Sequence, residues 1–134
     1  MSMINFFDKE RNLIVLFKDF QVTTTEALRI VTFMGKVDFD FIHFETNFEA
    51  EVFDLKNLLF SLEKMYNREI KYATFNPLSG KIRIMLSEND GQIKVKVEIY
   101  NEVSTCKLEF EYYIDQSFIP DLVKEIEIVI KEYA

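Results

Sequence analysis

Few side chains in this sequence could carry out catalysis. His43 is the only histidine and Cys106 the only cysteine, which excludes a metal site built from several histidines or cysteines. A catalytic Cys106 would need a base within reach, and neither Thr105 nor Lys107 beside it belongs to a known nucleophile motif. The apolar neighbours of His43 favour a structural role for that residue. The glycine-rich, phosphate-binding and serine-hydrolase motifs are absent as well.

Carboxylates are plentiful, and a pair of them could serve as acid and base or bind a metal. Asp38 and Asp40 are predicted to share one face of a strand, as are Glu109 and Glu111. Such pairs more often mark a solvated sheet face, and their spacing does not show that two carboxylates meet across a cleft. We therefore expect no catalytic residue, no metal and no cofactor.

The carboxylates are concentrated in two regions. Between Lys36 and Lys56 the chain has no lysine or arginine, but it has six carboxylates interleaved with five phenylalanines. Such a surface suits a basic protein, because charge speeds the encounter and a few aromatic side chains anchor the complex. A solvated face over a phenylalanine-rich core would give the same pattern, and that alternative stays open. The residues predicted to bind a protein are Asp38, Asp40, Glu45, Glu49, Glu51, Asp54, Glu109, Glu111 and Asp115.

Cations are predicted on the outward face of a central hairpin that turns at Asp90-Gly91, a strong hairpin signal. They can pair across strands with Glu98 or Glu109. The four cations are Lys81, Arg83, Lys94 and Lys96.

Hydrophobic periodicity predicts the elements that position these residues. The order is β-β-β-α-β-β-β-β-α, which gives an α+β fold with about seven antiparallel strands in one sheet and two helices packed on one face. Asp54 and Ser117 are candidate caps for the helices, Gly35-Lys36 a turn, and residues 46–52 a connection. The predicted strands are 13–20, 27–34, 37–44, 70–75, 82–86, 93–99 and 108–112, and the predicted helices are 55–65 and 119–133.

Length and charge limit the classes of function. A chain of 134 residues is the usual size of one domain, and we expect a single domain over residues 1–134. The net charge of −7 repels nucleic acid and anionic membranes, so neither is an expected partner. The single cysteine and the lack of a signal-peptide pattern predict a cytoplasmic location.

The second half of the sequence resembles a known family. The segment Phe75-Asn76-Pro77-Leu78 follows a leucine-rich helix. After it come the strand before the Gly91 turn, the strand after that turn, and then Lys107-Leu108-Glu109-Phe110. This order is similar to that of the WapI-like immunity proteins, which protect bacteria against wall-associated and contact-dependent toxins. The resemblance covers roughly residues 48–132.

The resemblance implies a small cytoplasmic bacterial protein that binds and blocks a cognate toxin domain, often a nuclease. Together with the acidic regions, it predicts a non-catalytic inhibitor of a basic toxin domain. Two alternatives stay open: a small enzyme or ligand-binding domain with convergent carboxylates, and a self-associating structural module, such as a homodimer. A pocket with two or more buried carboxylates of raised pKa would favour the enzyme, and a flat acidic face would favour the inhibitor.

Overall fold

A computed structural model of the chain describes residues 2–101 and 105–133. Eight strands and two helices lie in those ranges, with a short 3-10 turn over Gln116–Phe118 before the second helix. The elements are β1 Ile4–Phe7, β2 Leu13–Thr24, β3 Arg29–Phe39, β4 Ile42–Glu51, α1 Val52–Tyr66, β5 Tyr72–Phe75, β6 Ile82–Asn89, β7 Gln92–Tyr100, β8 Lys107–Ile114 and α2 Ile119–Tyr133.

The strands form two antiparallel sheets rather than one. The first sheet has the order β1-β2-β3-β4 and the second the order β5-β6-β7-β8. The predicted α+β class and antiparallel pairing are confirmed, but the prediction of about seven strands in one sheet is wrong. Strand β1 was missed because four residues give too short a pattern, and local periodicity does not indicate where one sheet ends and the next begins.

Glycine at position 35 was misinterpreted. Gly35-Lys36 was predicted to be a turn, but it lies inside the continuous strand β3. A Cβ atom at Gly35 would overlap the buried ring of Phe48 on β4, so the glycine allows a close side-chain approach. The hairpin turns at Asp40-Phe41 instead, where Asp40 has a φ of 56°. The predicted connection over residues 46–52 is therefore wrong, since most of it belongs to β4.

The core lies between the inner faces of the two sheets and extends to both helices. The ring of Phe75 in the second sheet lies 5.7 Å from Phe17 and 6.3 Å from Phe33 in the first, between ring centroids. Phe39 stacks on Phe110 at 4.6 Å, which joins the sheets at another point. Side chains alternate along a strand, so the remaining set on each strand points outward.

The helices pack against each other, and α1 also contacts β5 while α2 contacts β1. Ile126 on α2 is fully buried as its helical stripe predicts, whereas Leu59 on α1 is only half-buried. Neither helix in the described part of the chain is long and apolar enough to cross a membrane. The single domain over 1–134 stays a prediction.

Both predicted helix caps are wrong in detail. Helix α1 starts one residue after Glu51, whose backbone N–H donates to the Asp54 carboxylate at 2.8 Å. Asp54 therefore supports the helix start from its third position, as in a capping box. Ser117 lies inside the 3-10 turn, so it does not cap α2. Cap positions depend on where the chain changes direction, which apolar periodicity fixes only to within a few residues.

Candidate protein-binding surface

Strand β4, an edge strand of the first sheet, carries three of the predicted binding residues on its outer face. Its register with β3 sets Glu45 opposite Lys36, Glu49 opposite Thr32 and Glu51 opposite Ile30. Because buried and exposed residues alternate along β3, these positions share the face away from the core. Asp38 on β3 joins them there. We call Asp38, Glu45, Glu49 and Glu51 the acidic strip.

The strip is only partly neutralised by neighbouring cations. Glu45 lies 3.9 Å from the ammonium of Lys18, and Asp38 lies 3.9 Å from that of Lys36. Both contacts are long and solvent-exposed, so they contribute little. Strand register places no cation opposite Glu49 or Glu51. Glu49 is exposed at that end of β4, whereas Glu51 is half-buried and takes part in the capping box of α1.

An exposed aromatic side chain stands at the other end of the strip. Phe41 is 85% exposed at the tip of the β3–β4 turn, next to Asp40. His43 is also exposed, on the same outer face as Asp38, and its Nδ1 atom lies 2.8 Å from the Asp38 carboxylate. The apolar sequence neighbours of His43 therefore do not enclose it.

A second aromatic side chain lies beyond Glu51. Phe53 in the first turn of α1 is 68% exposed, and Leu78 in the loop after β5 is 88% exposed. Together with Glu51 and Asp54 they line a cleft of about 450 Å³. Sequence reasoning counted Phe53 only as one of several aromatic residues and did not select Leu78 at all. The sequence feature that could have indicated an exposed Leu78 is its position in the turn cluster of residues 76–80.

The outer face of the second sheet contains carboxylates that already have partners. Glu98 is buried and lies 3.2 Å from Arg83, 3.4 Å from Lys107 and 3.9 Å from Lys96. Glu109 lies 3.0 Å from Lys107 and 3.5 Å from Lys96. The predicted pairing of hairpin cations with Glu98 or Glu109 is thus confirmed for Arg83 and Lys96.

The other two predicted acids of this region differ in their surroundings. Glu111 lies 3.2 Å from Lys94, while Asp115 is exposed just after β8. The hydrogen bond from Lys107 lowers the pKa of Glu109, and that same bond raises the pKa of Lys107. The structure therefore separates the nine predicted residues into the acidic strip, a ladder of ion pairs, and Asp40, Asp54 and Asp115 at the ends of elements. Asp40 lies in the turn after β3, so the prediction that it shares a strand face with Asp38 is wrong.

The geometry gives little support for enzymatic chemistry. Within residues 2–101 and 105–133, Glu98 is the one buried carboxylate, and cations surround it. No group of three or more histidine, cysteine or acidic side chains in those ranges could hold a metal ion. Cys106 is exposed. Burial raises the pKa of the Tyr112 hydroxyl, which keeps that group protonated. A cleft with convergent buried carboxylates is thus not found in the described part of the chain.

Solved structures of two other proteins are similar to this chain. The plant transcriptional regulator PBF-2 matches with a TM-score of 0.50 at 8% sequence identity, over 96% of this chain and 86% of that one. WHY1 from Arabidopsis thaliana matches with a TM-score of 0.48 at 12% identity, over 87% of this chain and 80% of that one. At such identities the likeness concerns the fold alone.

Sequence comparisons point to one family. No curated protein matches the chain by sequence. The model of the immunity protein WapI-like family matches residues 20–134, which is most of the chain and includes both helices and the acidic strip. This chain therefore belongs to the immunity protein WapI-like family.

Proposed function

We propose that this protein is the immunity partner of a toxin domain and that it blocks the toxin by binding to it, without catalysis. Membership of the family supports a toxin as the partner. The observation that carries the proposal is the acidic strip, because three of its four carboxylates lie on an edge strand and two of these, Glu45 and Glu49, are exposed. Exposed charge of one sign attracts a partner of the opposite sign before contact.

The partner of the strip is a basic, nuclease-type toxin domain. A nuclease holds a polyanion in its active site, so the surrounding surface carries cations that an acidic face can neutralise. Strand β4 has ten residues, a length of about 30 Å at roughly 3.3 Å per residue. That length is about the diameter of a round patch of roughly 800 Å², the area that a standard interface buries on each partner. The strip can therefore extend across such an interface.

The same charge disfavours other partners. With a net charge of −7, the protein would be repelled by nucleic acid and by anionic membranes, so we propose that it binds neither. It would act as a single domain over residues 1–134 in the cytoplasm, where it would bind the toxin domain before that domain reaches its substrate.

A stoichiometric titration tests this function. The toxin domain is taken from the C-terminal region of the protein encoded upstream of this chain, and its cleavage of nucleic acid is measured against added full-length protein. We expect inhibition to end at one equivalent, a complex of the two proteins in gel filtration, and restored growth of cells that express both. Inactivation of the toxin by a small fraction of one equivalent would indicate an enzyme, and active toxin in excess protein would exclude the function.

A further inference from the structure

Leu78 is a large apolar side chain that the fold holds out in solvent. The residues of the segment 75–78, which carries the family resemblance, differ in burial. Phe75 is fully buried and Pro77 is buried, whereas Leu78 is 88% exposed. Core packing explains Phe75 and Pro77. It does not explain Leu78, which stays exposed in the described part of the chain.

The turn around Leu78 is fixed at both sides. The backbone N–H of Gly80 donates to the carbonyl of Pro77 at 3.0 Å, and Gly80 has a φ of +72°, which glycine adopts without strain. The hydroxyl of Ser79 donates to the backbone carbonyl of Glu49 at 2.8 Å. The turn is thus hydrogen-bonded to strand β4, so the backbone at Leu78 lies near Glu49 of the acidic strip. A side chain positioned in advance loses less entropy on binding.

Phe53 provides a second apolar surface beside Leu78. It is 68% exposed and lines the same cleft of about 450 Å³. The carboxylates of Glu51 and Asp54 flank it, and the hydrogen bond from the Glu51 N–H to Asp54 fixes that part of the helix start. Two exposed apolar side chains between carboxylates form a surface that differs chemically from the strip itself. Aromatic and aliphatic side chains of this kind are typical anchors of protein interfaces.

We propose that Phe53 and Leu78 form an apolar anchor for the toxin domain, at a place where the toxin presents an apolar side chain next to a lysine or arginine. Charge complementarity with Glu51 and Asp54 selects this occupant. The inference rests on the function proposed above and deepens it. The strip accelerates the encounter, whereas the anchor slows dissociation, because short-range packing is lost only when the complex separates.

The dissociation rate of the toxin complex tests the anchor. Leu78→Ser and Phe53→Ser should each raise that rate by about 30-fold or more, the effect expected of an interface hot spot. Association should stay within about twofold and keep its salt dependence, since no charge changes. The matched control is Phe60→Ser: Phe60 is 59% exposed on the same helix, but its ring lies under the Lys64 ammonium at 4.6 Å, outside the cleft. It should leave both rates unchanged.

Three results would overturn the anchor. Native dissociation rates in both variants would show that the toxin does not touch it, although the proposed function would survive. A wild-type protein that does not bind the toxin domain would remove the function and the anchor together. A wild-type dimer that Leu78→Ser converts to a monomer, with toxin binding intact, would assign the anchor to a second copy of this chain. Thermal unfolding checks each variant, and Leu78→Asn replaces Leu78→Ser if the latter does not fold.

Discussion

The outer faces of the two sheets carry similar charged side chains in different arrangements. On the second sheet, strand register sets Arg83 opposite Glu98, and the ladder of cations and carboxylates continues across β7 and β8. On the first sheet, Glu49 lies opposite Thr32, an uncharged residue. Asp38 and Glu45 on the first sheet also contact Lys36 and Lys18, so the two faces differ most clearly at Glu49, which has no cation opposite it.

The difference shows that the role of a carboxylate depends on what strand register places beside it. Opposite charges facing each other across strands stabilise a sheet by about 0.2–1 kcal/mol per pair. A carboxylate without a facing cation adds little to stability, but its field reaches an approaching partner. We propose a structural role for the second sheet's outer face and a binding role for the first, and the following predictions test that proposal.

The largest loss of stability is expected for a substitution in the core that both sheets share. It serves as the reference for substitutions on the two outer faces. Ile126→Ala should lower the free energy of unfolding by about 2–5 kcal/mol, because Ile126 is fully buried. Leu59→Ala is the comparison on the other helix. Leu59 is half-buried, so we expect a smaller loss, about 1 kcal/mol. Chemical denaturation measures both, and equal losses would contradict the observed burial.

Glutamates on the two faces should differ in their contribution to stability. Glu98→Gln should cost about 1–2 kcal/mol, since it removes a buried charge from three cations that remain partly solvated. Glu49→Gln should cost about 0.5 kcal/mol or less, because the backbone carbonyl of Glu49 and not its side chain accepts the Ser79 hydroxyl. Urea unfolding of the two variants compares the faces directly, and equal costs would remove the distinction between them.

Acid stability should depend on the second sheet. Hydrogen bonding to Lys107 lowers the pKa of Glu109 in the folded protein. This contact therefore stabilises the fold at pH values above the pKa that Glu109 has in the unfolded chain, and the stabilisation is lost as pH falls through the lower pKa of the folded protein. Lys107→Met should raise the pKa of Glu109 and reduce this loss. Carboxyl titration by NMR measures the pKa. Lys36→Met, on the first sheet, is the control and should leave the titration of Glu109 unchanged.

The smallest effect is expected for the single histidine. His43→Gln should leave folding intact and toxin association within about twofold, because the exposed imidazole contributes one surface contact with Asp38 and glutamine can donate a similar hydrogen bond. Association kinetics and thermal unfolding measure the two effects. A folded variant that loses all binding would show that His43 belongs to the interface.

Much of the fold was predictable from local pattern. The period-2 alternation of β6, β7 and β8 and the apolar stripes of both helices gave element types that the structure confirms. The division into two sheets was not predictable, because it depends on contacts between distant segments such as Phe17 and Phe75. Gly35 was taken for a turn because a glycine admits both turns and close packing, and only the Phe48 ring distinguishes them.

The candidate site was predictable in composition but not in arrangement. The lysine-free stretch around β4 was visible in the sequence, but the common outer face of Asp38, Glu45, Glu49 and Glu51 was not, because residues 46–52 were predicted to be a connection. Glu109 and Glu111 gave a similar pattern, yet register sets Glu111 opposite Lys96 and Glu109 opposite Glu98. Leu78 could not be selected, because its exposure follows from the turn that Ser79 ties to β4.

Two double charge reversals test the central claim most directly. Glu45→Lys with Glu49→Lys alters the acidic strip, and Glu109→Lys with Glu111→Lys alters the ion-paired ladder. Each substitution adds two positive charges, so both variants carry −3 in place of −7 and differ only in the face that changes. Glu51 and Asp54 stay native to preserve the start of α1.

The measurement is stopped-flow association with the cognate toxin domain at low and high salt. We expect the strip variant to associate about tenfold or more slowly at low salt and to lose most of its salt dependence, since salt at 0.1 M screens the attraction between charges more than about 10 Å apart. The ladder variant should keep nearly native rates. Equal rates and equal salt slopes in the two variants would contradict the binding role of the first sheet's outer face.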